Sequence, residues 1–290
     1  MTWWERIHHL RRAVMQIWIG TSGYSYPDWV GDFYPRGMRP AGMLSYYTRQ
    51  FPLVELNYTF YRPPTVSALA TLADKTPAGF RFLVKVPQTI SHEGRPDDLP
   101  SFRLAAGELA RRGQLSGVLL QLPQSFHYSK GKLDWLAWLA DATNDLRPAV
   151  EFRHRSWARP EMPEWLESHS LDLVSVDAPD LPGLYPPGWV QSGRRVYVRL
   201  HSRNAPNWYA DGKERYNYFF ADAELKEWVN AAKSAAARTD EALFLFNNCY
   251  GGQAAVNARR LTELFCERAE DWTVIAPFAE TTPVQRTLFE

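Results

Sequence analysis

Eight short apolar runs recur along this chain of 290 residues, each followed by a longer polar or helix-like stretch. That alternation limits the possible folds more than any other feature. The runs are 16–20, 53–57, 80–86, 117–121, 149–153, 172–177, 196–201 and 243–247. Several are nearly continuous Val, Leu, Ile and Phe, the pattern of parallel strands covered on both faces. Helical patterns lie between them, for example at 41–51, 102–112, 133–142, 223–238 and 253–269. Eight strands alternating with helices predict an α/β fold, the TIM-type (β/α)8 barrel. An open, doubly wound sheet is the lesser alternative, because no Gly-rich dinucleotide turn follows the first run. Residues 178–193 hold four prolines and no helical period, so the helix between strands 6 and 7 is expected to be missing or replaced. No linker or low-complexity segment interrupts the pattern. The expected organisation is an N-terminal extension (1–15), a single barrel domain (16–278) and a C-terminal tail (279–290).

Side chains alternate along a strand, so residues two apart share a face. Leu53, Glu55 and Asn57 then line up on one face of the second run. The same reading groups Leu83 with Lys85, Leu119 with Gln121, and Ala149 with Glu151 and Arg153. It also groups Ser175 with Asp177, Arg199 with His201, and Leu245 with Asn247, while Thr21 follows Ile17 and Ile19. Each run begins apolar and ends polar on its expected inward face, and barrel enzymes place their chemistry at that rim. One polar strand end is an ordinary solvated boundary. Many inward charges together must be paired or functional, so a polar pocket is expected.

Composition excludes several classes. The 33 Lys and Arg against 32 Asp and Glu leave a charge of +1, which argues against coating nucleic acid or membranes non-specifically. No apolar run approaches the ~18 residues of a transmembrane helix. The first 15 residues carry Glu5, Arg6, Arg11 and Arg12 without an apolar core, so they do not form a secretory signal. Two cysteines, Cys249 and Cys266, exclude a disulfide scaffold and a four-cysteine zinc site; Cys266 is expected in the core of the final helix. The expected location is the cytoplasm.

Long ordered motifs carry a family resemblance. Residues 20–29 read GTSGYSYPDW, 54–61 read VELNYTFY, 120–123 read LQLP and 151–157 read EFRHRSW. Lys85-Val86-Pro87 with Ser91-His92, Arg199-Leu200-His201, and Phe246-Asn247-Asn248 with Gly252 and Asn257-Ala258 add to them. Across about 16–264 the chain resembles the YecE-like family, domain-of-unknown-function family 72. The resemblance implies a TIM-type barrel and leaves the activity open. The chain departs from the family pattern at Ser91, where Thr is common, Ser202, where Gly is common, and Cys249, where His is common.

The rim residues support several chemistries. Glu55 and Glu151 form a carboxylate pair suited to general acid/base work, or are ion-pair partners, Glu151 with Arg199 or Lys85. Glu55, Glu151, Asp177 and His201 are the candidate catalytic set and the candidate ligands of a divalent metal, with His92 nearby. Lys85, Arg153 and Arg199 on the same rim oppose a metal and read instead as a clamp for phosphate or carboxylate. Gly251-Gly252, after the last run and before a helix, is a candidate anion-binding turn. Thr21, Asn57, Gln121 and Asn247 are candidates for binding polar substrate groups. Tyr24, Tyr26, Trp29, Tyr61, Phe126, Trp157 and Trp208 follow strands and are candidates for stacking, with His154 and Trp157 expected nearest the mouth.

No G-x-S-x-G elbow, phosphate-loop run or other nucleotide-cofactor motif is present. Gln285, Leu288 and Phe289 in the tail resemble the Gln-x-x-Leu-Phe peptide by which bacterial DNA-processing proteins dock on the replication sliding clamp. The leading expectation is a hydrolytic phosphodiesterase or lyase linked to DNA processing. Alternatives are a small-molecule sugar or sugar-phosphate hydrolase or isomerase, and a non-catalytic binding module for anions or nucleic acid. A narrow mouth closed by residues 204–220 would favour the small-molecule reading.

Overall fold

A computed structural model of the chain describes residues 14–210, 214–268 and 272–279. The tail residues Gln285, Leu288 and Phe289 lie outside the described residues. The strands are β1 (Met15–Ser22), β2 (Leu53–Leu56), β3 (Arg81–Lys85), β4 (Leu115–Gln121), β5 (Pro148–Glu151), β6 (Asp172–Asp177), β7 (Arg195–Leu200), β8 (Glu241–Phe246) and a short β9 (Trp272–Val274). All pair in parallel, and β1 joins β8 on one side and β2 on the other, which closes the ring. The eight expected runs are all strands.

The unexpected β9 explains how the ring closes. It pairs with the first half of β1, at Met15–Ile17, while β2 pairs only with the second half, at Gly20–Ser22. Gly20 sits at that changeover. A Cβ there would stand 2.0 Å from the Leu53 carbonyl oxygen, so only glycine admits the approach.

The expected helices appear as Pro40–Thr48, Leu99–Arg111, Lys130–Ala142, Asp222–Ala235 and Gln253–Cys266. Val66–Asp74 and Met162–Ser168 add two more. They lay faces such as Phe102, Ala106 and Leu109 against the strands, all fully buried. Cys266 is exposed at the last turn of its helix, which corrects its expected place in the core. None of the described helices is long and apolar enough to cross a membrane.

No helix stands between β6 and β7. The proline-rich chain instead returns along the outer face of β6, where the Ser175 hydroxyl accepts from the Val190 amide and donates to its carbonyl, both at 2.9 Å. The end of the barrel opposite the polar rim is closed by ion pairs. Glu241 there takes both Arg81 and Arg147, and Asp172 takes Arg195.

Parallel register decides which strand residues share the lumen. Ser22 lies beside Glu55, and Val176 beside Arg199. Thr21 and Asp177, one residue out of phase with these, face outward beneath the helices.

Candidate functional site

Arg199 organises the polar rim. Its guanidinium donates twice to Glu55, from Nε to Oε2 at 2.9 Å and from Nη2 to Oε1 at 2.8 Å, and Nη1 donates to Glu151. Tyr197, two residues earlier on the same face of β7, donates its hydroxyl to Glu55. All four side chains are buried. Burial would raise the Glu55 carboxyl, but Arg199, Tyr197 and Lys85 outweigh it and hold it below the usual range. Burial opposes ionisation of Glu151 too, and Arg153, Arg199 and His201 hold it well below that range. Both carboxylates are therefore ionised and engaged. The ion-pair alternative describes them, and neither is available as a general acid near neutral pH.

Lys85 stands differently. Its ammonium donates to Gln121 Oε1 at 2.7 Å and lies 3.9 Å from the centre of the Phe60 ring. It makes no ion pair with a carboxylate among the described residues. Burial and the nearby Arg199 push it down to about 7, against a partial pull upward from Glu55 and Glu151. His201 is fully buried, with Nδ1 3.0 Å from Asn247 Nδ2 and Nε2 3.4 Å from Glu151 Oε1. Burial and Arg153 push it down to about 3, so its imidazole is neutral. His92 sits against Phe60, with Nδ1 3.0 Å from the Ser91 hydroxyl, and burial with Lys85 pushes it down to about 4.

These groups border a cavity of about 290 Å³, reached by Asn57, Lys85, Gln121, Arg153, Arg199 and Asn247. Asn57 Oδ1 is buried there without a hydrogen-bond partner. Tyr26, Tyr61, Tyr216 and Tyr250 complete the wall with Asp28 and Cys249. A larger groove, about 540 Å³, lies on the outer side of β6 where the helix is missing. Of its charged lining residues, Asp177 and Glu227 both bond to Arg203, and Asp180 pairs with Arg155.

Several expectations need correcting. The Asp177 carboxylate faces outward, where Arg203 grips it at 2.8 and 2.9 Å and Trp228 Nε1 donates at 2.6 Å. It anchors the loop after β7 to the helix Asp222–Ala235 and has no place in the lumen. Among the described residues no group of three or more His, Cys, Asp and Glu is arranged to hold a metal ion, so the candidate ligands Glu55, Glu151, Asp177 and His201 are not gathered into one set.

Thr21 bonds Tyr47 on the outer side of β1. Trp29 and Trp157 are fully buried and spend their indole N–H groups on the carbonyls of Cys249 and Phe126, which makes them packing residues. His154 stacks on His127 and accepts from the Ser156 amide, away from the cavity, and Tyr24 packs against Tyr47. Gly251 and Gly252 do open the last helix in left-handed conformations, but the Gly251 amide donates to Asp28.

A family model described as "Protein of unknown function DUF72" matches residues 18–283. The chain belongs to the DUF72 family. A DUF72 protein of known structure from Thermotoga maritima is 37% identical, covers 86% of this chain and 99% of its own, and superposes with a TM-score of 0.80. One from Enterococcus faecalis is 26% identical, with 86% and 95% coverage and a TM-score of 0.77. Among curated relatives, the UPF0759 protein YunF of Bacillus subtilis is 27% identical over 86% of this chain and 94% of its own length. The UPF0759 protein YecE of Escherichia coli is 32% identical over 48% of each.

Cys249 stands in the cavity wall. Its thiol donates to the Ser22 carbonyl at 3.3 Å, and burial pushes it up to about 12, so it stays protonated and is no nucleophile. Sequence reasoning missed Tyr197, although the alternation that groups Arg199 with His201 extends to it. It also missed Asp28, Tyr216 and Tyr250, which reach the mouth from irregular loops that carry no period.

Proposed function

We propose that the chain is a barrel enzyme acting on a small molecule that carries a phosphate or carboxylate group, bound in the cavity above Arg199. The observation that carries this reading is the state of Arg153. Its Nε is held against Glu151, while Nη1 and Nη2 donate to nothing among the described residues at the edge of the cavity. A guanidinium fork fixed at its base and open at its tip is suited to a bidentate oxyanion. Lys85 adds a second cation, and the amides of Asn57 and Asn247 stand ready for hydroxyl or carbonyl groups. A cavity of about 290 Å³, with Tyr216 of the loop after β7 in its wall, suits a compact ligand. That size and the near-zero net charge favour the small-molecule reading over one in which a DNA strand tracks the surface.

Sulfate tests the oxyanion site, because its charge does not change between pH 6 and 9. Titration calorimetry is expected to show Arg153→Ala weakening sulfate binding about tenfold or more, the scale of one charge-assisted contact. Arg111→Ala, on an exposed side chain paired with Glu108, should leave it unchanged. Equal effects from both variants would remove the site.

Binding should also depend on pH. A bound anion favours the charged form of Lys85, whose neighbours are Arg199, Arg153, Glu55, Glu151 and His92. Below pH 7 the ammonium is already charged and affinity should be flat. Above pH 7 binding must draw a proton from solvent, so affinity should fall as pH rises.

A further inference from the structure

The chain holds only seven lysines among its 33 basic residues, and it places one of them, Lys85, at the end of a barrel strand, close enough to Arg199 and Arg153 to feel both charges. An arginine there would hold an anion as well or better. It could not supply a neutral nitrogen.

We propose that the Lys85 amine is a nucleophile that forms an imine with an aldehyde or ketone carrying an oxyanion, the oxyanion being held by Arg153. This deepens the proposed function and rests on its oxyanion site. The geometry carries it. The amine projects into the cavity from the C-terminal end of β3 and is oriented by one hydrogen bond to Gln121 Oε1, at 2.7 Å. Phe60 covers one side of it, with no carboxylate close enough for an ion pair among the described residues. Arg199 is held in place by Glu55 and Glu151, and its charge repels a proton on Lys85. The depressed proton affinity of the amine agrees with this arrangement. Among the described residues no other group in the cavity offers a nucleophile of this kind, since Cys249 stays protonated and both lumen carboxylates are engaged.

The step balances without a co-reactant. The nitrogen lone pair attacks the carbonyl carbon, a C–N bond forms, and the carbonyl π pair moves to oxygen. That oxygen takes both hydrogens originally on the nitrogen and leaves as water, giving a C=N bond. Asn57, whose Oδ1 is buried without a partner, and Asn247 lie on the cavity wall with Lys85.

Borohydride reduction in the presence of defined probes tests the proposal. The full chain is treated with glycolaldehyde phosphate, pyruvate or glycolaldehyde, reduced, digested and mapped by mass spectrometry. A stable adduct is expected on Lys85, formed about tenfold or more faster with an oxyanion-bearing probe than with glycolaldehyde. Comparing the phosphate with pyruvate tells a sugar phosphate from a 2-oxo acid. The labelling rate should rise through pH 7 and level off, whereas an exposed lysine keeps rising toward pH 10.

Lys85→Arg should abolish the adduct and keep sulfate binding, because the cation remains. Sulfate binding with no adduct on Lys85, or with adducts only on surface lysines such as Lys75 and Lys130, overturns the imine and leaves the oxyanion site standing. An adduct on Lys85 that forms equally fast from all three probes supports the nucleophile and overturns the oxyanion site.

Discussion

Arg199→Ala is expected to cost about 3–5 kcal/mol of folding stability, the scale for breaking a buried ion pair from one side. That is a large part of the roughly 5–15 kcal/mol that holds a typical domain folded. The reason lies in what remains. Glu55 loses both of its guanidinium contacts and keeps only the Tyr197 hydroxyl, while Glu151 keeps Arg153. Glu55 therefore becomes a buried anion with no cation bonded to it, Lys85 acting on it only from a distance.

The sign of the pH dependence follows from this. In the native protein both carboxyls are held below their ordinary value, so their stabilisation is present above about pH 4.5 and is lost as pH falls further. In the variant, burial acts on Glu55 with little opposition and raises it, so protonation relieves the penalty. The deficit against the native protein should shrink as pH drops from 7 to 5. Urea unfolding at both pH values measures it, and adding Glu55→Gln to Arg199→Ala should recover much of the loss at pH 7. A deficit below about 1 kcal/mol, insensitive to pH, would mean that the cluster is solvated and does not organise the rim.

The half of the site built on β2, β3, β4, β5, β7 and β8 was legible because each of those strands ends in a polar residue between apolar neighbours that face the other way. Glu55, Lys85, Gln121, Glu151, Arg199 and Asn247 could be assigned to the lumen by counting in twos. The same count failed on β1 and β6 for separate physical reasons. In β1 both faces are apolar, Ile17 and Ile19 outside and Trp18 inside, so hydrophobicity does not distinguish them. Gly20 and Ser22, the true lumen positions, announce nothing. In β6 the missing helix leaves the outer face to be satisfied by polar groups, and Ser175 and Asp177 serve the return loop, Arg203 and Trp228. The polar end of that strand is real, but it faces away from the cavity.

Lys85→Met is expected to make the protein more stable while removing the proposed chemistry. An amine moved from an ordinary value of 10.5 to about 7 by folding is carried at a cost. At one pKa unit per ~1.4 kcal/mol the cost is on the order of 4 kcal/mol at neutral pH. Methionine matches the length of the stem, needs no solvation and can lie against Phe60, so about 2–4 kcal/mol should return. For a chain of this size that is a rise in melting temperature of roughly 5 °C or more.

The window is set by the two proton affinities. Between about pH 7 and 10.5 the unfolded lysine binds a proton that the folded one has released, so native stability climbs with pH across that range. The advantage of Lys85→Met should accordingly be largest at pH 7 and below, and should fade toward pH 10. Thermal or urea unfolding across pH 6–10 measures both quantities. A structural lysine predicts the opposite sign, since losing the Gln121 contact and the charge would then destabilise at every pH. Stability gained on deleting a buried, oriented amine marks a group retained for what it does to a ligand rather than for what it does to the fold.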